Sequence, residues 1–311
     1  MPHNQPSQAA QAARADATFV LPLAALVLGA VAMGASPTFV RLADVGPFAS
    51  AFWRMALAVP VLWGWLKFEN ARAPGPVLTP ANDTMLILRI GFLFAGDLFF
   101  WHLAILNTSI ANATLLATTT PLVVAFGAWL FLKEHITGRI LSGVLAGILG
   151  AGLLVGASAQ FAPKNVYGDV CGLVTACFFG TYFLSVAYAR RRMSAAQVMF
   201  YPAIVSAGFL LIAALVLDDH LFPRSWEGLG VLVALALISQ IAGQGFAAYA
   251  LGHLPAVFSS LVLFFEVIAA VLLAWLIFGE PISLWQLGGG MLILAGIFAA
   301  RPKRSKQPVG P

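Results

Sequence analysis

Charge is scarce in this chain. Asp, Glu, Lys and Arg make up 9% of its 311 residues, against 60% hydrophobic residues. A soluble domain carries roughly 25% charged residues, so the composition excludes an aqueous surface over most of the chain. Cysteine is scarce too: Cys171 and Cys177 are its two thiols. They share one apolar run, nearly two helical turns apart, which is too far for a disulfide, and they read as buried free thiols. A disulfide scaffold is therefore excluded. No HExxH, GxSxG, Cys/His cluster or paired-acid pattern occurs. The usual signatures of an intramembrane enzyme are missing, and neither a catalytic role nor a metal or cofactor is expected. Long polar linkers are missing as well, which leaves no room for a soluble domain. The net charge of +5 comes from basic residues clustered at the ends of apolar runs, so it points to a lipid bilayer and not to nucleic acid.

What the chain has is apolar runs of membrane-spanning length. They fall at 19–40, 48–66, 85–106, 111–132, 138–157, 167–188, 195–217, 227–249, 255–278 and 283–300. Each approaches the ~20 residues that a helix needs to cross a bilayer. Turn chemistry and charge separate them, as at Asp44-Val-Gly-Pro47, Ala73-Pro-Gly-Pro76, Arg190-Arg-Arg192 and Gly279-Glu-Pro281. The first 18 residues are polar and rich in Gln and Ala, and read as a disordered tail. The run that follows is long enough to be a retained transmembrane helix and not a cleaved signal.

The runs form two copies of one unit. AFGAWLFLKEHI, with Trp129 and Glu134, recurs as VLLAWLIFGEPI, with Trp275 and Glu280, at a constant offset of 146 residues. Without a gap, that offset gives eleven identities over positions 100 to 150, among them Phe100 with Phe246, Leu115 with Leu261 and Gly150 with Gly296. Five spans per copy is an odd number, so the second copy is inverted. The distribution of basic residues agrees. With the N-terminus in the cytoplasm, thirteen Lys and Arg fall on the cytoplasmic side, and only Arg41, Lys164 and Arg224 fall outside. The expected fold is an all-α membrane protein of ten transmembrane helices in two inverted five-helix repeats, the internal symmetry of a secondary transporter. The repeats are expected at 19–157 and 165–300, between cytoplasmic tails at 1–18 and 301–311.

The stretches TSIANATLLATTTPLVVAFGAWLFLKEHIT and LPAVFSSLVLFFEVIAAVLLAWLIFGEPIS resemble the EamA repeat of the drug/metabolite transporter superfamily. The resemblance covers residues 19 to 300. It implies a central cavity lined mainly by helices 1–4 and 6–9, with helices 5 and 10 peripheral. It also implies export of amino acids, aromatic ones included, or of other small metabolites and drugs across a bacterial inner (plasma) membrane. In one departure, Glu266-Val267 stands where a Glu-Pro pair is usual, while the first copy keeps Pro121. That leaves a break in the ninth helix open.

Polar groups at membrane depth are costly, and each is a functional candidate. Gln240 and Gln244 are four apart and share a helix face, which suits either a zwitterionic ligand or an interhelical hydrogen bond. The 146-residue offset pairs them with Phe94 and Leu98, and His102 with Ala248, so Phe94, Leu98 and His102 are expected on the opposite wall. Asp97 and Trp101 offer a carboxylate and a ring; packing, or a pairing of Asp97 with Arg54, is the other reading. Ser36, before Pro37, pairs by offset with Tyr182, and Tyr182 and Ser185 could complete a polar rim. Glu266 and Arg54 stand as proton-coupling or structural groups. The glycines of span 5, Gly143 to Gly156, and of span 10, Gly288 to Gly296, read as helix packing, or as the seam of a dimer. A monomer or weak dimer is expected.

The function expected from these residues is alternating-access export of neutral or aromatic amino acids. The alternatives are another metabolite or drug (nucleotide sugar, sugar phosphate, cationic drug) or a non-transporting membrane protein. A phosphate needs several cations, and only Arg54 and Arg89 lie near the membrane interior.

Overall fold

The computed structural model describes residues 8–72, 78, 80–108, 110–155, 165–279 and 282–301. The expected turn at 73–76, Gly156, Lys164, Glu280 and the basic tail beyond Arg301 lie outside them. Eight helices are long and apolar enough to cross a membrane, and two shorter apolar helices complete the set. They are α1 Phe19–Leu42, α2 Pro47–Arg72, α3 Asp83–Asn107, α4 Asn112–Leu132, α5 Gly138–Leu154, α6 Val166–Ala189, α7 Ala195–Leu217, α8 Trp226–Leu251, α9 Ala256–Ile277 and α10 Leu284–Ala300. No strand occurs among the described residues, as expected where lipid cannot satisfy an open sheet edge. Helical backbone begins at Gln8, ahead of the apolar run, so the segment read as a disordered tail is helical from there. Of the two thiols read as buried, Cys171 is, but Cys177 is exposed on the outside of α6.

The packing follows a two-fold scheme between the repeats. α5 packs on α10 and α2 on α7, each helix meeting its own counterpart. The contact of α3 with α6 is mirrored by that of α8 with α1, and α4 with α6 by α9 with α1. The α5–α10 seam depends on glycine. A Cβ on Gly143 would lie 2.7 Å from the Gly296 carbonyl oxygen, and one on Gly289 would lie 2.5 Å from that of Gly150. These glycines serve a contact within one chain.

Three helices are interrupted within their apolar spans. α1 breaks at Ala35, before Ser36 and Pro37. α4 breaks at Thr118 and Thr119, where Thr119 N donates to Leu116 O at 3.1 Å, three residues back. Pro121 has no N–H to offer Ala117 O, and the Thr120 hydroxyl supplies the missing hydrogen bond at 2.8 Å. α9 breaks at the equivalent place, Leu263 and Phe264, with the same short-range bonding and without proline. The break left open by Val267 is therefore present. It follows from the local i→i−3 bonds of Phe264, Glu266 and Val267 (3.1, 2.8 and 3.1 Å). α4 and α9 also end alike: Lys133 has φ 57° and Gly279 φ 69°, both left-handed and 146 residues apart.

Candidate functional site: a cavity between the repeats

The three broken helices surround a cavity of about 400 Å³. Residues of α1, α2, α3, α4, α6, α8 and α9 line it. α5 and α10 contribute Leu154 and Gln286, and α7 contributes none. The lining obeys the repeat. Fourteen of its positions form seven pairs at the 146-residue offset: Met33 with Phe179, Leu98 with Gln244, Thr114 with Ser260, Ala117 with Leu263, Thr118 with Phe264, Thr120 with Glu266 and Pro121 with Val267. The backbone frame is thus symmetric, but the charges are not. Arg54, Asp97 and Glu266 have Phe200, Gly243 and Thr120 as their counterparts.

Arg54 enters from α2, buried at 7% exposure. Its Nε donates to Gln240 Oε1 at 3.0 Å and its Nη1 to Ser36 Oγ at 3.2 Å. Its guanidinium carbon lies 5.6 Å from the centre of the Phe94 ring. Phe94 in turn packs on Tyr182 with ring centres 4.7 Å apart, and the Tyr182 hydroxyl donates to Gln244 Oε1 at 3.2 Å. Asp97 and Glu266 line the cavity without a hydrogen-bond or ion-pair partner among the described residues. They are nevertheless the charges acting most strongly on Arg54 through space, Asp97 first. An arginine fastened by two neutral side chains near two unengaged carboxylates retains hydrogen-bonding capacity for a ligand.

Of the residues singled out in the sequence, Ser36, Phe94, Asp97, Trp101, Gln244, Arg54 and Glu266 meet at this cavity. Four do not line it. His102 is turned away: its Nδ1 lies 2.6 Å from Leu98 O, and its ring packs against Phe48 and edge-on to Trp101. The Ser185 hydroxyl donates to Thr181 O at 2.8 Å within its own helix. Gln240 is occupied by Arg54, and Tyr182 lies behind Phe94 and Gln244. The sequence reading missed Arg41 at the rim, Thr175 and Phe179 on α6, and the Thr114–Ser260 pair. The offset itself was the signal for that pair, since both members fall within the quoted repeats. The Thr175 hydroxyl is buried in the cavity wall without a hydrogen-bond partner among the described residues.

The cavity reaches exposed Arg41 at one end of the bundle and is sealed at the other. There Leu132, Met193, Leu251 and Leu254 are buried together. Arg190 donates to Ala248 O at 2.9 Å and to Met193 O at 2.5 Å. Glu134 accepts hydrogen bonds from the first amides of α9.

Membrane-crossing helices in two inverted repeats, interrupted around one cavity, are the architecture of a transporter. The chain belongs to the EamA-like transporter family, whose sequence profile matches residues 21–156 and 166–301. It is similar to the pseudopaline exporter of Pseudomonas aeruginosa, with 27% identity over 234 residues, covering 75% of this chain and 80% of that protein. An uncharacterized transporter of Archaeoglobus fulgidus is 23% identical over 271 residues, 85% of this chain and 91% of that one. A riboflavin transporter of Brucella anthropi is 22% identical over 259 residues, 81% and 87% of the two chains. A crystal structure shares the fold at a TM-score of 0.74 and 19% identity, covering 91% of this chain and 98% of that chain.

Proposed function

We propose that this transporter exports neutral or aromatic amino acids, exposing its cavity alternately to the two sides of a bacterial inner membrane. The observation that carries this reading is the cavity's composition. Trp101, Phe94 and Phe179 supply aromatic surface, Gln244 an amide, Arg54 a buried cation, and Asp97 and Glu266 carboxylates without protein partners. A zwitterion with an apolar side chain finds a counterpart for each of its parts there. A phosphate dianion finds one deep arginine, too little to offset its desolvation. The thirteen-to-three distribution of basic residues supports cytoplasmic termini. In that orientation the cavity faces outward and the Glu134 end is closed toward the cytoplasm. One relative, the pseudopaline exporter, supports the outward direction. Relatives named for pseudopaline and riboflavin also support a second reading, export of a different metabolite through the same cavity.

Counterflow in proteoliposomes tests the choice. Labelled phenylalanine or leucine should accumulate against an unlabelled internal pool. Exchange of a sugar phosphate or nucleotide sugar without amino-acid flux would overturn the reading.

A further inference from the structure

Arg54 is presented to the cavity by its neighbours rather than neutralised by them. Two of the guanidinium's five N–H donors are taken, by Gln240 and Ser36, and three remain. Both partners are neutral, so they fix the orientation of the group, while Asp97 and Glu266 act on its charge only through space, with no hydrogen bond to it. Phe94 covers it at 5.6 Å and limits how far it can swing.

The carboxylates are in the complementary condition. Asp97 is 8% exposed, lines the cavity and has no protein partner among the described residues. Glu266 follows the break in α9 and is equally unengaged. A partnerless polar group at this depth is expensive. That cost persists where a ligand offsets it during turnover.

Resting on the amino-acid reading above, we propose that the cavity reads the two charged ends of its substrate separately. The substrate carboxylate sits on Arg54, and the substrate ammonium sits at Asp97 and Glu266. The side chain lies against Trp101 and Phe179. Gln240 and Ser36 are positioning residues that hold the guanidinium in place. The substrate class is therefore a compound with a free carboxylate and a free protonated amine. A compound with one of the two is excluded because it leaves a charged group of the cavity unmatched and desolvated. Selection for both ends also explains why the charges break the repeat's symmetry: a zwitterion is itself asymmetric.

The test uses the intact protein in proteoliposomes, with labelled phenylalanine as the probe. Phenylalaninamide removes the carboxylate and N-acetylphenylalanine removes the ammonium. Each should compete for phenylalanine counterflow roughly tenfold or more less well than phenylalanine itself, the worth of a charge-assisted hydrogen-bond pair. Gln240→Leu should narrow the preference for phenylalanine over its amide while leaving the preference over the acetylated compound in place. A purely structural loss would move both ratios together or neither. Because Gln240→Leu disturbs a buried contact, the analogue series on the unaltered protein decides the proposal alone. Equal competition by phenylalaninamide would overturn the Arg54 assignment while leaving amino-acid export standing. Absence of any amino-acid counterflow would remove the functional reading and this proposal together.

Discussion

Glu134, in the turn after α4, accepts a hydrogen bond from the Ala256 amide at 2.8 Å, and its second oxygen accepts from Val257 at 3.3 Å. A carboxylate from the first repeat thus caps the first turn of a helix in the second, where the helix dipole favours negative charge. Lys133, which turns the chain into that position, is the non-glycine residue with positive φ among the described residues, at 57°. A left-handed backbone there costs about 1–2 kcal/mol. The equivalent turn of the second repeat uses Gly279 and avoids that cost.

This cap joins the repeats at the sealed end of the cavity, so removing it should loosen the seal. Glu134→Ala removes an interaction worth about 1 kcal/mol, which corresponds to roughly a fivefold shift between closed and open states at that end. In a background without Cys171 and Cys177, a cysteine at Leu132 should react faster with a maleimide once Glu134 is alanine. An unchanged rate would make the cap incidental to closure.

Orientation can be measured directly. Arg191 and Arg224 are exposed at opposite ends of the bundle. Single cysteines at the two positions should label with a membrane-impermeant reagent from the cytoplasmic and the external side, respectively. Labelling of both from one side would be incompatible with the inverted repeats.

Trp101 and Gln244 face the cavity from different repeats. Trp101→Ala should weaken aromatic substrates more than small ones, by roughly threefold to tenfold, since ring stacking contributes about 0.5–1.5 kcal/mol. Gln244→Leu keeps the bulk but removes the acceptor of the Tyr182 hydroxyl. It should lower transport of large and small substrates alike, with near-normal expression. Equal, small effects of both variants across a substrate series would assign the two residues to packing.

Two adjacent glycines give an internal control on the α5–α10 seam. A side chain on Gly289 meets Gly150 O and the Leu153 Cβ, the latter at 2.9 Å, whereas one on Gly288 meets nothing within 4 Å. Gly289→Val should destabilise the protein in detergent by about 1–3 kcal/mol through overpacking. Gly288→Val, with the same change in helix propensity, should leave the melting temperature near that of the parent. Equal melting of the two variants would show that the seam can part without cost.

At the opposite end of the bundle, the Asp44 carboxylate accepts from the Ser225 hydroxyl at 2.8 Å and from the Arg224 amide at 3.1 Å. The Ser225 hydrogen bond is the main cause that holds its carboxyl below the ordinary value of 3.8. A carboxyl depressed by folding contributes stability above its unfolded pKa and loses it as pH falls through the lower folded value. Asp44→Ala should therefore flatten the acid limb of a melting-temperature profile while changing its slope near neutrality little. An acid limb as steep as the parent's would remove Asp44 from the clasp.

The residues that failed as cavity contacts show where sequence spacing stops being informative. His102 was placed by the offset and lies in the expected helix, but its ring turns to Phe48 because the Leu98 carbonyl holds its Nδ1. Gln240 and Gln244 were expected to act together on one face. Residues Leu235–Gln244 form a π-helical stretch, whose i→i+5 bonding changes the phase of the helix. One amide consequently goes to Arg54 and the other to the cavity. The local bonding that decides this is not a property of spacing.

The sequence by itself determined the ten apolar spans, the two repeats, their inversion and three of the four charged residues that line the cavity, Arg54, Asp97 and Glu266. These follow from one-dimensional quantities: the length a bilayer demands, a constant offset, and the side on which basic residues accumulate. The tertiary structure alone decided that α9 breaks without a proline, that Arg54 is fastened by Gln240 and Ser36, and that Asp97 and Glu266 line the cavity without a hydrogen-bond partner among the described residues. Those outcomes depend on which donors and acceptors meet across helices far apart in the chain, and residues such as Arg54 and Gln240 acquire their roles only when α2 and α8 pack side by side.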